Sequence, residues 1–215
     1  MKICFLKYIP VTLVCLFILI SSVYSQENLI TKVKKISRPE KYWAITHPFV
    51  ANAAYKITLK VRKVVSEIAK DSTLDHDGNG GQVDAFRHTL WMAYLCQKIN
   101  WKKAYKLGIA HEKGDKIDFE NHRISDEGIQ DSISSAMDLY NNNIGIEIGR
   151  KHNNVSENEL IEIVKKAVLE GITKKIKKDR KGESLDSNNN IINKKEWQGY
   201  WVNKRCLVNS NYNNP

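Results

Sequence analysis

A stretch near the middle of the chain, residues 75–96, concentrates side chains that could do chemistry. Its apolar half carries Asp84, Arg87 and His88, and spacings of three and four residues place them on one stripe of a helix. The other positions of this helix are small or apolar: Ala85, Thr89, Met92, Ala93 and Cys96. We therefore expect a helix buried nearly all round, in which a carboxylate, a guanidinium and an imidazole are costly unless they pair, bind a ligand or catalyse a reaction.

Two later segments carry polar residues that could join this site. His111 and Glu112 lie near the end of a second predicted helix, and Asp138, Asn141 and Asn142 share one stripe of a third. The three helices together would bring two histidines to several carboxylates and amide oxygens. Such a set is typical of sites that bind divalent metals or transfer protons.

The stripe of Asp138 continues into Gly145 and Gly149, which are four residues apart. A glycine inside a helix costs about 1 kcal/mol relative to alanine. Two of them on one stripe make sense if another helix backbone approaches closely. We therefore expect this stripe to face the helix of Asp84 and His88.

Three kinds of chemistry fit these residues. His88, His111, Asp84 and Asp138 could hold a divalent zinc, manganese or iron ion, which would activate water and polarise a phosphoryl or carbonyl oxygen. Without a metal, one histidine would act as a general base oriented by Asp84 or Asp138, and Arg87 would bind an anion. The third interpretation is structural: the polar side chains satisfy each other and hold the helices in register.

The turn before the central helix partly matches a calcium loop. Asp75, Asp77, Asn79 and Gly80 correspond to the first, third, fifth and sixth positions of an EF-hand loop. The twelfth position is Phe86, where a bidentate glutamate is required. We therefore expect a polar turn whose side chains bond their own backbone in preference to a calcium site.

Three motifs in order carry a family resemblance: Asp84-Ala85-Phe86-Arg87-His88 with Trp91, His111-Glu112, and Met137-Asp138-Leu139-Tyr140-Asn141-Asn142 with Gly145. Over residues 75–149 the chain resembles an uncharacterised bacterial domain family found in small exported proteins and at the C-termini of polymorphic, rearrangement-hotspot-type toxins. The resemblance implies that one site contains Asp84, Arg87, His88, His111, Glu112, Asp138, Asn141 and Asn142. It implies no particular reaction.

A weaker resemblance is to the HD-type metal phosphohydrolases, whose helices carry a histidine, a histidine-aspartate doublet and an aspartate in that order. The corresponding series here is His88, His111-Glu112 and Asp138. Glutamate replaces the aspartate of the doublet, and the spacings are compressed. The likeness indicates a reaction class only, namely hydrolysis of a phosphoester.

The first 25 residues have the pattern of a signal peptide. Lys2 and Lys7 precede an apolar run, and Val23 and Ser25 suit the last positions before a signal-peptidase site. The run is shorter than the ~20 apolar residues of a membrane span. We therefore expect a secreted or periplasmic protein that begins near Gln26 and keeps no transmembrane segment.

The net charge and the cysteines indicate what the protein could bind and whether it could form a disulfide. The net charge is +10, and removal of Lys2 and Lys7 with the signal peptide leaves +8. This charge favours polyanion partners such as nucleic acid, acidic glycans or anionic lipid, or a phosphoester substrate. Solvated surface lysines are the interpretation that we prefer. Cys96 and Cys206 would remain after export, either as a disulfide or as separate thiols. We expect a monomer.

Periodicity and turn signals predict a mainly α fold, a single compact domain of four to five helices with a short β-hairpin-like C-terminal tail. The predicted segments are a leader or linker over 26–46, a helical domain over 47–171 and a basic segment, hairpin and tail over 172–215. Within them we expect helices over 48–71, 83–95, 101–113 (with Gly114 as C-cap), 129–150 and 156–171, a solvated basic run over 174–181, a hairpin over 185–192 and disorder over 209–215.

The predicted function is that of a small exported hydrolase, metal-dependent or not, acting on a phosphoester as an effector or toxin-like protein. The catalytic candidates are His88, Asp84, Arg87, Glu112, Asn141 and Asn142, and the metal candidates are His88, His111, Asp84 and Asp138. The alternative function is a non-catalytic secreted binding or structural domain.

Overall fold

A computed structural model describes residues 36–123 and 130–214. The predicted signal peptide, residues 26–35 of the predicted leader, and Ile129 lie outside these residues. The described part is mainly helical with a small antiparallel sheet near the C-terminus, as predicted. Its elements are α1 (Arg38–Thr46), α2 (Pro48–Ile68), α3 (Gln82–Lys98), α4 (Trp101–Glu120), α5 (Ser132–Lys151), α6 (Glu157–Leu169), β1 (Lys174–Ile176), α7 (Lys194–Trp197) and β2 (Leu207–Asn209).

Helix α3 is the centre of the domain. Every residue from Val83 to Leu95 except Arg87 is buried. Its large apolar side chains, Phe86, Leu90 and Leu95, form the core with residues of α2, α4, α5 and α6. The prediction of a helix buried nearly all round is confirmed.

Helix α5 lies backbone to backbone against α3. A Cβ atom at Gly145 would overlap the carbonyl oxygen of Thr89, and one at Gly149 would lie 2.6 Å from the carbonyl oxygen of Ala93. Only glycine permits such an approach. The expectation that this stripe faces the central helix is confirmed, and the contact brings Asp138 to α3.

Helix α1 occupies part of the predicted leader. Ser37 and Glu40 form a capping box, and Pro39 stands in the first turn. Trp43 is buried, and its indole nitrogen donates a hydrogen bond to the carbonyl oxygen of Lys103 at 3.1 Å. Residues 38–46 of the segment interpreted as a leader or linker are therefore helical, because a buried tryptophan and a complete cap stabilise a helix that has little periodicity.

Helix α4 continues seven residues beyond its predicted end at Lys113. Gly114 is not a cap but a buried position inside the helix. A Cβ atom there would overlap the Ser37 side chain, so this glycine admits the start of α1. Asp115, which follows the predicted C-cap, is consequently a buried helical residue.

The C-terminal segment is ordered more fully than predicted. Strand β1 pairs antiparallel with β2, and Leu185 bridges Ile191 across the expected asparagine turn. The prediction of disorder after residue 208 is wrong for residues 209–214, because Ser210 is buried and donates a hydrogen bond to the carbonyl oxygen of Val168 at 2.6 Å. Cys96 and Cys206 are free thiols.

The basic run over 174–181 is not a solvated segment. Lys175 and Lys177 are buried, and the ammonium group of Lys177 donates to the carbonyl oxygens of Asp186 and Ser187. The prediction fails for residues 174–178, because they form β1 and the bridge after it, whereas Arg180 and Lys181 are exposed. Of the helices that the structure describes, none is long and apolar enough to cross a membrane.

Candidate functional site

Asp84, His88 and Asp138 form a compact buried group between α3 and α5. His88 Nε2 lies 3.5 Å from Asp84 Oδ1 and 3.3 Å from Asp138 Oδ1. One ligand atom of each residue lies within 4.8 Å of the others. Ligands of a tetrahedral metal with bonds of about 2.0–2.2 Å are about 3.3–3.5 Å apart, so the two histidine-carboxylate separations suit a metal ion.

Asp84 is held by the turn that precedes α3. The backbone amide of Gly80 donates to Asp84 Oδ2 at 2.6 Å, which leaves Oδ1 directed at Arg87 and His88. Gly80 has a φ of +85°, a conformation that side chains rarely adopt. The glycine-rich turn therefore orients the carboxylate of the site.

Arg87 contacts two members of the group through one nitrogen. Its Nη2 lies 2.6 Å from Asp84 Oδ1 and 2.9 Å from His88 Nε2. Because a guanidinium can only donate, a hydrogen bond at this contact requires Nε2 to accept, and a neutral imidazole then carries its proton on Nδ1. Arg87 is partly exposed, so it joins the buried group to the surface.

His111 lies beside this group rather than within it. Its ring centroid is 6.2 Å from that of His88, and its ring packs at 68° against that of Trp91 in a T-shaped contact. Its Nδ1 lies 3.1 Å from Glu40 Oε1 in α1. Burial alone would raise the pKa of Glu40, but the hydrogen bond and charge of His111, together with two hydrogen bonds from Ser37, lower it to about 2. This pair holds α1 against α4.

Glu112 and Asp115 add two buried carboxylates to the same side of α4. Ser135 of α5 donates a hydrogen bond to Glu112 Oε2 at 3.0 Å. Asp115 Oδ2 lies 3.9 Å from His111 Nε2. The first contact connects α4 to α5, and the second lies within α4.

The two asparagines of α5 have different surroundings. Asn141 is fully buried and bonds both backbone groups of Lys174, donating to its carbonyl oxygen at 2.9 Å and accepting from its amide at 2.8 Å. Asn142 is also buried and lies against Gly108, and its side-chain amide makes no hydrogen bond to the residues that the structure describes. Asn141 therefore fastens β1 to the helices, while Asn142 offers a buried amide one turn from Asp138.

In the turn that partly matches a calcium loop, the carboxylates accept hydrogen bonds from nearby backbone amides. Asp75 Oδ1 accepts from the backbone amides of Asp77 and Gln82, and Asp77 Oδ1 accepts from that of Asn79. The other carboxylate oxygen of Asp77 pairs with Lys178. These are the backbone contacts expected of a polar turn.

Glu40 and Asp115 border the site and were not among the predicted site residues. Glu40 fell in a segment interpreted as a leader, although Ser37-Arg38-Pro39-Glu40 is itself a helix-start pattern. Asp115 fell after a glycine interpreted as a helix end. His122, which lies just after α4, is exposed.

Residues 41–172 match the family model described as "Domain of unknown function (DUF6973)". The chain belongs to this family. The matched region contains every predicted site residue, from Asp84 to Asn142, and ends before β1. No curated protein and no solved structure shows significant similarity to the chain. The family assignment thus agrees with the predicted uncharacterised domain and supplies no activity for it.

Proposed function

We propose that this chain is a small hydrolase whose Asp84–His88–Asp138 group binds a divalent metal ion and acts on a phosphoester. The observation that carries the proposal is the position of two carboxylates and one imidazole, all buried, at separations suited to metal ligands. Among these residues and Arg87, the two carboxylates exceed the one fixed positive charge. A bound cation would offset that excess.

The side chains would then divide the chemistry between them. Asp84, His88 and Asp138 would be the ligands, with Asp84 oriented by the amide of Gly80. A metal held there supplies an activated water molecule and polarises the bond to be broken. Three protein ligands leave positions for water and substrate, as in catalytic rather than structural metal sites.

Arg87 supports a phosphoester as the substrate class. In the structure its Nη2 contacts the same two atoms that a metal would contact. Metal binding would therefore turn the guanidinium outward, toward the surface that it already reaches. A planar guanidinium there suits two phosphate oxygens at once, and its charge would stabilise the transition state.

The test is elemental analysis of the chain purified without chelator, beside His88→Ala and Asp138→Asn variants. The matched control is His122→Ala, which removes an exposed imidazole. We expect about one equivalent of metal in the unmodified chain and the control, and little in the other two. Turnover of nitrophenyl phosphate monoesters and diesters should follow the metal content.

Two results would contradict the proposal. One is the same metal content in the folded Asp138→Asn variant as in the unmodified chain. The other is phosphoester turnover that survives both substitutions in folded protein. Circular dichroism melts of all four proteins establish that the compared samples are folded.

A second candidate function is a non-catalytic binding or structural domain. The contact of Arg87 with Asp84 and His88, and that of Ser135 with Glu112, favour it, because both satisfy buried polar groups within the protein. It predicts that His88→Ala costs about 1–3 kcal/mol of stability and changes no metal content.

The hydrolase proposal also includes export of the protein and a toxin-like or effector role. It is supported by the signal-peptide pattern of residues 1–25 and by the motif resemblance described above. Mass analysis of the chain recovered from outside the cytoplasm tests the first part. A mature protein beginning at Gln26 is expected, and a full-length cytoplasmic product would contradict it.

A further inference from the structure

A cavity of about 460 Å³ lies between the turn before α3 and the end of the described chain. Its wall includes Asp75 from the turn and Gln82 from the start of α3. Lys175 and Arg180 from β1 and the segment after it, and Asn211 and Asn214 from the tail, complete it. None of these residues belongs to the Asp84–His88–Asp138 group. The last four lie beyond the region that matches the family.

Lys175 is the unusual residue of this wall. Only 5% of it is exposed, yet its ammonium group makes no hydrogen bond within the described residues. Its neighbours in the run differ. Lys174 bonds Asn209 Oδ1, Lys177 bonds two carbonyl oxygens, and Lys178 bonds the carboxylate of Asp77. The side chain of Lys175 is buried, but in the described part of the chain its ammonium group lacks the acceptors that the other three lysines possess.

Asp75 does not supply the missing contact. Its Oδ2 lies 4.0 Å from Lys175 Nζ, beyond hydrogen-bonding distance. Both of its oxygens accept from the backbone amide of Gln82 at 2.9 Å, at the start of α3. The Asp75 carboxylate thus caps the start of α3. Burial lowers the pKa of Lys175, and the charges of Asp75 and Asp77 oppose this effect only in part.

The rest of the wall offers a second cation and an acceptor. Arg180 uses only its Nε, in a long contact of 3.4 Å with the carbonyl oxygen of Asn214. The side-chain oxygen of Asn214 is buried and accepts no hydrogen bond from the described residues. One wall therefore holds two cations with unused donors, and the tail adds one unused acceptor.

We propose that this cavity binds a small organic anion that also carries a hydroxyl or amine donor. The phosphate or carboxylate of the ligand would contact Lys175 and Arg180, and its donor would reach Asn214. The site is separate from the proposed metal group, so it stands whether or not the chain is a hydrolase. Its volume is within the range of small-molecule sites, about 300–1,000 Å³.

The test is calorimetric titration of the folded chain with glycerol 3-phosphate, glycerate and glycerol. We expect at least one of the anions to bind and glycerol not to bind. Glycerol 3-phosphate distinguishes a phosphate site from the carboxylate site that glycerate reports. Lys175→Met should weaken binding roughly tenfold or more, because it removes a charge-assisted contact.

Two further variants sharpen the result. Lys181→Met removes the same charge from an exposed position near the cavity and should bind as the unmodified chain does. Arg180→Gln changes an exposed side chain and should bind more weakly while the fold is unaffected. It therefore keeps the test valid if Lys175→Met fails to fold.

The melting temperature gives an independent readout. If Lys175 is kept for a ligand, Lys175→Met should leave the melting temperature of the free protein unchanged or raise it, since the substitution removes a buried charge. The proposal is overturned if neither glycerol 3-phosphate nor glycerate binds. It is also overturned if Lys175→Met and Arg180→Gln both bind as the unmodified chain does, or if Lys181→Met weakens binding as much as Lys175→Met.

Discussion

Polar side chains are buried in two different ways in this protein. Between α3 and α5, ionisable groups from the helices contact each other, as Asp84, Arg87, His88 and Asp138 do. In the C-terminal segment, buried polar groups mostly meet backbone groups or a single opposite charge. Lys177 donates to two carbonyl oxygens, and Arg205 pairs with Asp131.

This difference distinguishes buried polar residues that only stabilise the fold from those that could bind a ligand or catalyse a reaction. The contacts of Lys177 and Arg205 join distant parts of the chain, and each has an evident role in holding the tail. The group around His88 instead concentrates two carboxylates and one imidazole at ligand-like separations inside a helix pair that glycines already hold together. Lys175 is the exception in the tail, and for that reason we propose a ligand there.

The largest expected effect concerns the tail. Arg205 is buried, pairs with Asp131 and donates to Ser134 Oγ at 3.0 Å. Arg205→Ala should lower the free energy of unfolding by about 3–5 kcal/mol, because it leaves the buried carboxylate of Asp131 without its cation. Urea unfolding measures this loss. The control is Lys70→Ala, which breaks an exposed pair with Glu67 and should change little.

The next prediction tests whether glycines hold the helix pair. Gly145→Ala should cost about 2–3 kcal/mol, since the new Cβ would overlap the Thr89 carbonyl oxygen and force α3 and α5 apart. Gly108→Ala is the matched control, because its Cβ would meet only the end of the Met92 side chain, at 3.2 Å, and the Asn142 amide. Equal losses in the two variants would show that the backbone contact is unimportant.

The third prediction concerns the ion pair that borders the site. The folded-state pKa of Glu40 is about 2, lowered from its ordinary value of 4.5. Its pairing with His111 therefore stabilises the fold above pH 4.5, and this contribution is lost as the pH falls toward 2. Between these values the unmodified chain should lose about 1–3 kcal/mol more stability than Glu40→Gln.

Urea unfolding at several pH values measures this difference. Glu67→Gln, at an exposed carboxylate, should follow the unmodified chain. If Glu40→Gln and the unmodified chain lose stability in parallel, the Glu40–His111 pair does not have the assigned role.

The smallest effect is local. Ser156 caps α6 by accepting a hydrogen bond from the amide of Glu159. Ser156→Ala should cost about 1 kcal/mol, and neither metal content nor anion binding should change. A thermal melt and the two binding measurements check this. A change in binding would show that α6 is coupled to the sites, contrary to the separation argued here.

Much of the helical domain was predictable because the signals are local. Periodic apolar residues predicted α2, α3 and α6, and Gly145 and Gly149 predicted which face of α5 meets α3. Asp84 and His88 share a stripe simply because they are four residues apart on a helix. Their proximity to Asp138 required only the further inference that the glycine face meets α3.

The remaining features depend on residues far apart in the sequence. The residues around Gly114 are compatible with a helix end and with a helix interior where the missing side chain leaves room for Ser37. Only the position of α1 distinguishes these possibilities. Glu40 meets His111 across 71 positions, and Arg205 meets Asp131 across 74.

The sequence by itself determined the helices and the residue types that can bind a metal, because helix periodicity and side-chain chemistry are local properties. Only the tertiary structure decided that His111 pairs with α1 and that Lys175 is buried beside a polar cavity. Burial and pairing depend on which surfaces meet, and that is a property of the whole packed chain.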